Sequence, residues 1–469
     1  MKNGRSLKTL PFFSFTKKKN NGIIEKVNRK IRIKKRKGEN LMKTYIKHAT
    51  LISMSEKREK IEEDIDIAIE DNIITAIGKN LIPENNAKVI EAEGKVVMPG
   101  LINTHAHVPM SIFRETVDGL ALQEWLQDKI WPMEDKLTIE DIYQASSLSF
   151  IEMIQTGTTT INDMYFMSEA IIQAAIQMGV RLQTTRTLTS VAGEANGEKK
   201  LVEFKELLEK YRNKNSRITF NAGIHGLYTS SRQYVDKCIA FAKENHLPIH
   251  MHFCENTKEV EDIQIAYGES PVNVIEKDFK DMKVLLAHCV KLGKEEIRRL
   301  AELSVQVSHC PVSNLKLGCG IANVAEMIKA GMNVSLGTDG QGSGSNLDLF
   351  ETMKYTALLQ KGTHEDAKKL PAYQVMQMAT INGAKALGME EQIGSIEEGK
   401  LADIIILKVD TCVMQPVNDL CSDIVYNAKA ENVETTIIDG KILMENKQLK
   451  NIDKEEVYRK CKEIIKRIQ

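Results

Sequence analysis

Val96-Val97-Met98-Pro99-Gly100-Leu101-Ile102-Asn103-Thr104-His105-Ala106-His107 is an apolar run that closes on two histidines two positions apart. An unbroken run of aliphatic and β-branched residues suits a strand buried on both faces. On such a strand His105 and His107 point to the same side, so both rings reach one place. The pattern repeats. After the run at 96–102 come others at 158–161, 180–184, 218–222, 248–251, 284–287, 305–307 and 333–336. The stretches between them carry helical periodicity, among them 139–155, 199–211, 232–245 and 295–303. Strand–helix alternation repeated over roughly 240 residues predicts an α/β fold, a (β/α)8 TIM-like barrel. An open doubly wound sheet is the rival that periodicity alone leaves standing. The histidines discriminate between them. Eight lie between positions 98 and 340, and seven of these (105, 107, 225, 250, 252, 288 and 309) sit at or just beyond the end of an apolar run, with His246 elsewhere. Active sites of such barrels collect at the C-terminal ends of the strands, and histidines scattered by chance would not keep this phase.

Outside 98–398 the texture is β. Short stretches at 65–69, 73–77 and 88–90 alternate or run β-branched, with turns at Asp71-Asn72 and Glu93-Gly94. A helix is expected at 373–387. Gly399-Lys400-Leu401-Ala402-Asp403-Ile404-Ile405-Ile406-Leu407 then returns to strand chemistry, and 433–438 and 441–443 flank the hairpin turn Asp439-Gly440. Residues 42–97 and 399–446 are therefore expected to form one small β-sandwich domain from both chain ends, beside a barrel at 98–398 and before an amphipathic C-terminal helix within 447–469.

A chain of 469 residues accommodates such a barrel with an accessory domain. Hydrophobic residues at 42% and charged residues at 27% exclude wholesale disorder. No uncharged apolar run approaches the roughly 18 residues that span a bilayer, which excludes an integral membrane protein, and the basic start has no apolar h-region of a secretory signal. The eight cysteines form no CxxC pair, which fits a reducing cytoplasm better than a disulfide scaffold. The zero net charge hides an asymmetry. Residues 1–41 hold 14 Lys/Arg and two acids, so the remainder carries a charge of −12. A body this acidic is a poor candidate for nonspecific nucleic-acid binding. The basic segment reads as a nucleic-acid arm, a transit peptide or, preferred here, an untranslated or disordered extension. Lys37-Gly38-Glu39 can be encoded by AAAGGAG, a bacterial ribosome-binding sequence a few codons before Met42. Translation is therefore expected to begin at Met42.

The residues at the strand ends carry the chemistry. Thr104-His105-Ala106-His107 alone is weak, since such a pair is as often structural. His250-Met251-His252-Phe253-Cys254-Glu255 ends the fifth run. It offers a third imidazole, His252, and a carboxylate, Glu255, placed to carry protons beside a metal-bound water. Leu286-Ala287-His288 ends the sixth run, and Gly337-Thr338-Asp339-Gly340 ends the eighth with a carboxylate at a glycine-flanked turn. Three imidazoles, a carboxylate and a further histidine at one barrel mouth predict a hydrolytic metal site. Zinc is the default for three nitrogens, one oxygen and an open position, and Fe2+ takes the same ligands.

The chain resembles the amidohydrolase superfamily, in its 5-methylthioadenosine/S-adenosylhomocysteine deaminase family, over about 44–445. The resemblance rests on Pro99-Gly100-Leu101-Ile102-Asn103-Thr104-His105-Ala106-His107, on Trp125-Leu126 through Trp131-Pro132-Met133-Glu134, and on Ile249-His250-Met251-His252 with Glu255. It continues through Ala287-His288-Cys289, Ser308-His309-Cys310-Pro311 with Ser313-Asn314, Gly337-Thr338-Asp339-Gly340 and Gly399-Lys400-Leu401-Ala402-Asp403. It implies one divalent metal held by His105, His107, His252 and Asp339. No lysine stands within 221–228, where binuclear members carry a bridging carbamylated lysine. A bound metal brings the pKa of its water down to roughly 7–9, making hydroxide available. Asp339 would take the proton, Glu255 would protonate the purine ring, and His288 would orient the water and stabilise the tetrahedral intermediate. The implied reaction is hydrolytic deamination of 5′-methylthioadenosine and/or S-adenosylhomocysteine, with adenosine as a further candidate, to the 6-oxopurine and ammonia.

Substrate contacts carry over residue by residue. Glu134 is expected on the ribose hydroxyls, His225 on base or ribose, and Arg186 on the 5′ substituent, including a homocysteine carboxylate. Ser343, Glu255 and Asp339 are also expected to touch substrate. The family's second arginine, about a dozen residues after the first, is missing; Lys199 and Lys200 stand nearby. A lysine supplies no bidentate fork, which argues against a strong preference for S-adenosylhomocysteine. Gly344-Ser345 also stands where paired asparagines are common. His309 and Asn314 are expected to support the site; Cys254, Cys289 and Cys310 are expected to be small buried residues. His48, His246 and His364 receive no role. The expected partner is a free small nucleoside, with no nucleic acid and no membrane, for a homo-oligomer in the cytoplasm. The rivals are a guanine, cytosine or s-triazine type amidohydrolase, a non-catalytic scaffold, and a nucleic-acid role through 1–41.

Overall fold

The computed structural model describes residues 42–469. The expectation for residues 1–41 lies outside the described residues. Two all-parallel sheets form the centre of the chain. One joins Leu101–Ala106, Thr158–Asp163, Arg181–Thr184 and Ile218–Phe220, and the other joins Ala222–Gly223, Ile249–Phe253, Val284–His288, Gln306–His309 and Asn333–Leu336, each in sequence order. Almost every residue of these strands is buried, as apolar strands covered by helices require. The connecting helices begin where the sequence supplies caps. Ile139–Gln155 opens on a capping box, in which Thr138 Oγ1 accepts from the Asp141 N–H and the Asp141 carboxylate accepts from the Thr138 N–H. Ser231, Asn256 and Ser270 cap later helices in the same way.

Strands from both chain ends meet in one mixed sheet of nine strands. Its path runs Gln448–Leu449, Lys441–Glu445, Val433–Ile438, Ile404–Lys408, Lys95–Pro99, Lys43–Leu51, Glu62–Glu70 and Ile73–Gly78, with Lys88–Glu91 beside Lys43–Leu51. The antiparallel pairing of Ile404–Lys408 with Lys95–Pro99 joins the two chain ends. Ile46, Ile67, Val97, Ile404, Ile406 and Ile437 pack in a core of their own. Hydrogen bonding unites these strands in one sheet, where the sequence suggests a sandwich. The last helix is Lys454–Ile468.

Three sequence-derived elements are cut where a single residue changes partners. The run at 96–102 divides at Gly100. Lys95–Pro99 belongs to the mixed sheet and Leu101–Ala106 to a parallel one. A side chain at Gly100 would place its Cβ only 2.1 Å from Thr159 Cγ2, so only glycine lets the strand cross between the sheets there. The run at 218–222 divides at Asn221, whose N–H donates to Thr184 O while the next N–H donates to Pro248 O. The helix expected at 373–387 is two helices, Ala372–Met378 and Ile381–Leu387. Between them the Ala379 carbonyl leaves the helical ladder and accepts the Ile102 N–H at 2.9 Å. The two parallel sheets are linked twice, by the Asp339 N–H on His105 O (3.0 Å) and, just beyond the end of Arg181–Thr184, by the Leu188 N–H on Gly223 O (2.8 Å).

Candidate metal centre and active site

The strand ends surround a cavity of about 450 Å³, within the range of small-molecule sites. His105 and His107 leave the first parallel strand and His252 leaves Ile249–Phe253; their ring nitrogens lie within 4.8 Å of one another. His107 Nε2 is 3.2 Å from His252 Nε2 and 3.1 Å from Asp339 Oδ1, and His105 Nε2 is 3.7 Å from the same oxygen. The rings are held from behind. His107 Nδ1–H donates to Met164 O and His252 Nδ1–H donates to His225 O, both at 2.6 Å, which turns each Nε2 inward. His105 Nδ1 meets His250 Nε2 at 3.0 Å, and Asn162 Nδ2 donates to His250 Nδ1 at 3.1 Å.

This donor set fits a divalent metal. His105 Nε2 is buried among the other donors without a hydrogen-bond partner, and such an orphan costs free energy unless something else meets it. The charge balance also favours a cation. Burial pulls the His107 imidazole down, yet the hydrogen bond and charge of Asp339 raise it to about 9. Asp339 is itself held well below the carboxylate range: burial pushes it up, but His107 and the neighbouring imidazoles outweigh that. Three nitrogens and one carboxylate oxygen suit Zn2+ or Fe2+.

A second group, Glu255, His288 and Asp339, shares the same mouth. Glu255 is buried and burial raises its carboxyl. Its Oε1 lies 3.7 Å from His288 Nδ1 and accepts from the Cys319 thiol. The Cys254 and Glu255 N–H groups both donate to the Glu259 carboxylate, which fixes the turn that carries Glu255. His288 Nδ1–H donates to Asn314 Oδ1 at 2.8 Å, leaving a buried Nε2 with no hydrogen-bond partner. Asp339 Oδ2 accepts from Ser313 and Ser343, and its Oδ1 accepts from the Gly340 N–H. Cys254, His288, Cys289 and Asp339 all take positive φ, a conformation L-residues adopt at a cost, and all four sit at or just beyond the C-terminal end of a strand, where His288 and Asp339 enter the cavity.

The remaining wall is aromatic and polar. Trp125, Trp131 and Glu134 come from a chain of short helical turns, Leu122–Trp125, Leu126–Ile130 and Trp131–Glu134, the middle one wound as a π turn. Tyr165 stacks on Phe166 at 4.3 Å between ring centres and donates its hydroxyl to Glu134. Burial raises the Glu134 carboxyl to about 7, against the pull of that hydrogen bond. His225 faces the cavity with Nδ1 on Thr229 Oγ1, and burial lowers it to about 4, so its ring is neutral. Arg186 and Lys200 form the cationic wall. Arg186 Nε donates to Glu203 at 2.9 Å, and Lys200 Nζ donates to Thr189 O at 2.8 Å. Burial lowers the Lys200 ammonium to about 8, with the Arg186 charge adding to it.

Of the ten residues singled out from the sequence for catalysis or binding, nine line one cavity and His105 is buried just behind it, its Nε2 3.7 Å from Asp339 Oδ1, with two refinements. The Ser343 hydroxyl, expected on substrate, donates to Asp339 and so orients that carboxylate. Of the two lysines, Lys200 lines the cavity, while Lys199 is exposed and approaches Glu203 at 3.9 Å. Asn314 supports His288. His309 is buried at the end of its strand, neutral because burial lowers it to about 3. Cys254, Cys289 and Cys310 are buried, and burial pushes each thiol well up, as inert cysteines require. Tyr165, Glu259 and Asn162 carry no motif, and sequence reasoning missed them; Ser313 stands in a quoted motif, but its role on Asp339 was not read there. Their signal is spatial only.

The amidohydrolase family model matches residues 96–443. A 5-methylthioadenosine/S-adenosylhomocysteine deaminase of Syntrophomonas wolfei is 40% identical over 431 residues, covering 91% of this chain and 99% of the relative. A 5′-deoxyadenosine deaminase of Methanosarcina acetivorans is 40% identical over 419 residues, covering 89% and 96%. Among solved structures, an adenosine deaminase of Xanthomonas campestris with bound zinc superposes with a TM-score of 0.85 at 29% identity, covering 91% of this chain and 98% of that one.

Proposed function

Since the chain belongs to the amidohydrolase family, we propose that it is a metal-dependent hydrolytic deaminase of purine nucleosides, acting on 5′-methylthioadenosine and/or S-adenosylhomocysteine. The observation that carries this reading is the coincidence at one cavity of two groups: a three-histidine, one-carboxylate donor set with a buried orphan nitrogen, and a partly buried carboxylate, Glu134, placed for a ribose diol. A bare base or a triazine has no diol for Glu134 to meet. The two parallel sheets are read as halves of one (β/α)8 barrel, supported by the hydrogen bonds across both seams. The strands from both chain ends are read as its small β domain.

His105, His107, His252 and Asp339 would hold one metal, zinc by preference. When bound, it supplies Lewis-acid chemistry that makes hydroxide accessible near neutral pH. The chain's own groups do the rest. Asp339, kept ionised by its neighbours and oriented by Ser313 and Ser343, accepts the proton of the attacking water. His288, with Nδ1–H committed to Asn314, turns its partnerless Nε2 inward and so orients that water toward the carbon bearing the amino group. Glu255, whose carboxyl is raised by burial, gives its proton to the adjacent ring nitrogen. Asp339 passes its proton on to the amino group, which leaves as ammonia, the new hydroxyl on that carbon returns a proton to Glu255, and a 6-oxopurine remains. Glu134 accepts from the ribose hydroxyls, neutral His225 contacts base or ribose, and Arg186 with Lys200 faces the 5′ substituent. No helix among the described residues is long and apolar enough to cross a membrane. Exposed Tyr355 and Leu358 on helix Leu349–His364 offer apolar surface for a homo-oligomer.

The test is ammonia release and the adenine-to-hypoxanthine absorbance change with 5′-methylthioadenosine, S-adenosylhomocysteine, adenosine and guanine, alongside metal analysis. Turnover of the 5′-thio nucleosides with about one metal per chain is expected. Turnover of guanine alone, or a preparation that neither binds metal nor deaminates any adenosine, overturns the reading. Glu134 adds a pH signature. Its carboxyl ionises at about 7, and the diol needs the carboxylate, so kcat/KM should fall as pH drops through that value. Glu134→Gln should lower kcat/KM about 100-fold, the worth of one strong or two ordinary charge-assisted hydrogen bonds. It should also abolish that acidic limb, as pH profiles of both enzymes would record.

A further inference from the structure

Arg186 already holds a carboxylate before any ligand arrives. Its Nε donates to Glu203 Oε2 at 2.9 Å and its Nη1 to Thr187 O at 3.2 Å. Glu203 reaches in from helix Glu194–Tyr211, and its side chain is 39% exposed against 19% for Arg186, so the acid lies on the solvent side of the pair. Lys199 approaches the other Glu203 oxygen from outside, while Lys200 faces the cavity and is tethered to Thr189 O. We propose that Glu203 is a specificity-determining residue that biases the site toward nucleosides whose 5′ substituent is uncharged. This rests on the reading that Arg186 faces the 5′ substituent of an adenosine-type substrate.

The physical reason is competition. A substituent ending in a carboxylate must share Arg186 with Glu203 or displace it. Sharing sets two like charges against one guanidinium in a partly desolvated site, and displacement trades the 2.9 Å bond to Arg186 for the exposed Lys199 at 3.9 Å alone. Lys200 offers a point charge and no planar fork, so it does not replace what Glu203 occupies. A short uncharged substituent such as methylthio meets neither penalty, and the Arg186–Glu203 pair stays intact beside it.

The experiment measures kcat/KM of the metal-loaded full chain for 5′-methylthioadenosine and S-adenosylhomocysteine in wild type, Glu203→Gln, Glu203→Asp and Glu206→Gln. Glu206 is an exposed acid three residues along the same helix, and its variant controls for the change in net charge. Glu203→Gln should raise the ratio of S-adenosylhomocysteine to 5′-methylthioadenosine about fivefold, the scale of one partly exposed ion pair. The change should appear in KM for S-adenosylhomocysteine, with kcat and 5′-methylthioadenosine turnover within twofold of wild type, and that turnover also reports an intact fold. Glu203→Asp and Glu206→Gln should keep the wild-type ratio. An unchanged ratio in Glu203→Gln, or an equal rise in Glu206→Gln, overturns the proposal. Wild-type enzyme that deaminates neither nucleoside refutes the deaminase reading itself, before any variant is compared.

Discussion

Glu255→Gln should lower kcat on a 5′-thio adenosine by ~10²–10⁴-fold, the usual scale of a lost proton donor, while metal content and thermal stability stay at wild-type levels. The substitution keeps shape and polarity but removes the transferable proton. The turn that holds the side chain is built from the Cys254 and Glu255 N–H groups on Glu259, and an amide at position 255 leaves those bonds in place. The proposed metal ligands are other residues, so a fall in activity with full metal occupancy points to the proton and not to the ion. Burial already favours the neutral form of Glu255, so a neutral glutamine brings no new desolvation cost. KM should move little, because the glutamine still reaches the ring nitrogen. Steady-state kinetics, metal analysis and a melting curve on one preparation check all three statements. A kcat within tenfold of wild type would remove Glu255 from the proton path.

That Glu255 could be picked out before any coordinates reflects how strands bury. A parallel strand covered on both faces is written as an apolar run, and the residue that interrupts it at the C-terminal end projects into the mouth. His107, His252, Glu255, His288 and Asp339 are all such interruptions. Reading fails where the interruption is silent. At Gly100 the chain passes from one sheet to another between two apolar neighbours, Pro99 and Leu101. The only sign is a missing side chain, whose meaning depends on Thr159, 59 positions along the chain. The segment that carries Trp125, Trp131 and Glu134 is a succession of short turns, too brief for any one period to build up. Lys199 and Lys200 differ only in helical phase. The helix expected to start at 199 starts at Glu194, which sets Lys199 one turn before Glu203 and leaves Lys200 to the cavity. Tyr165 acts on Glu134 from 31 positions away, and Ser313, though it stands in a quoted motif, acts on Asp339 from 26, so neither partner could be read locally.

Asp403 shows the reverse case, a motif residue that reads as part of a functional signature and holds the architecture together. Arg181, at the start of its parallel strand, grips Asp403 through two parallel bonds, Nε to Oδ2 at 2.7 Å and Nη2 to Oδ1 at 3.0 Å. Both side chains are almost wholly buried, at 3% and 2% exposure. Asp403 Oδ1 also accepts the Asp439 N–H at 2.7 Å, and Asp439 in turn accepts from Asn72 Nδ2. The cluster therefore ties a parallel strand to three segments of the nine-stranded sheet, at Asn72, Asp403 and Asp439, at the opposite strand end from the proposed catalytic groups. A buried fork of this kind is strongly destabilising to break, because the guanidinium stays desolvated with a long contact to Asp439 Oδ1 at 3.5 Å in place of the fork, yet its net worth against an apolar substitute is small. Asp403→Ala should thus cost about 3–5 kcal/mol in denaturant unfolding. The double variant Arg181→Met with Asp403→Leu should recover most of that loss, giving a coupling energy of the same order in a double-mutant cycle. Whatever folded enzyme remains should keep its kcat, since no group in the cluster lines the cavity. Additive losses in the cycle would mean that the two residues act independently, and that the junction between the sheets is held by apolar packing instead.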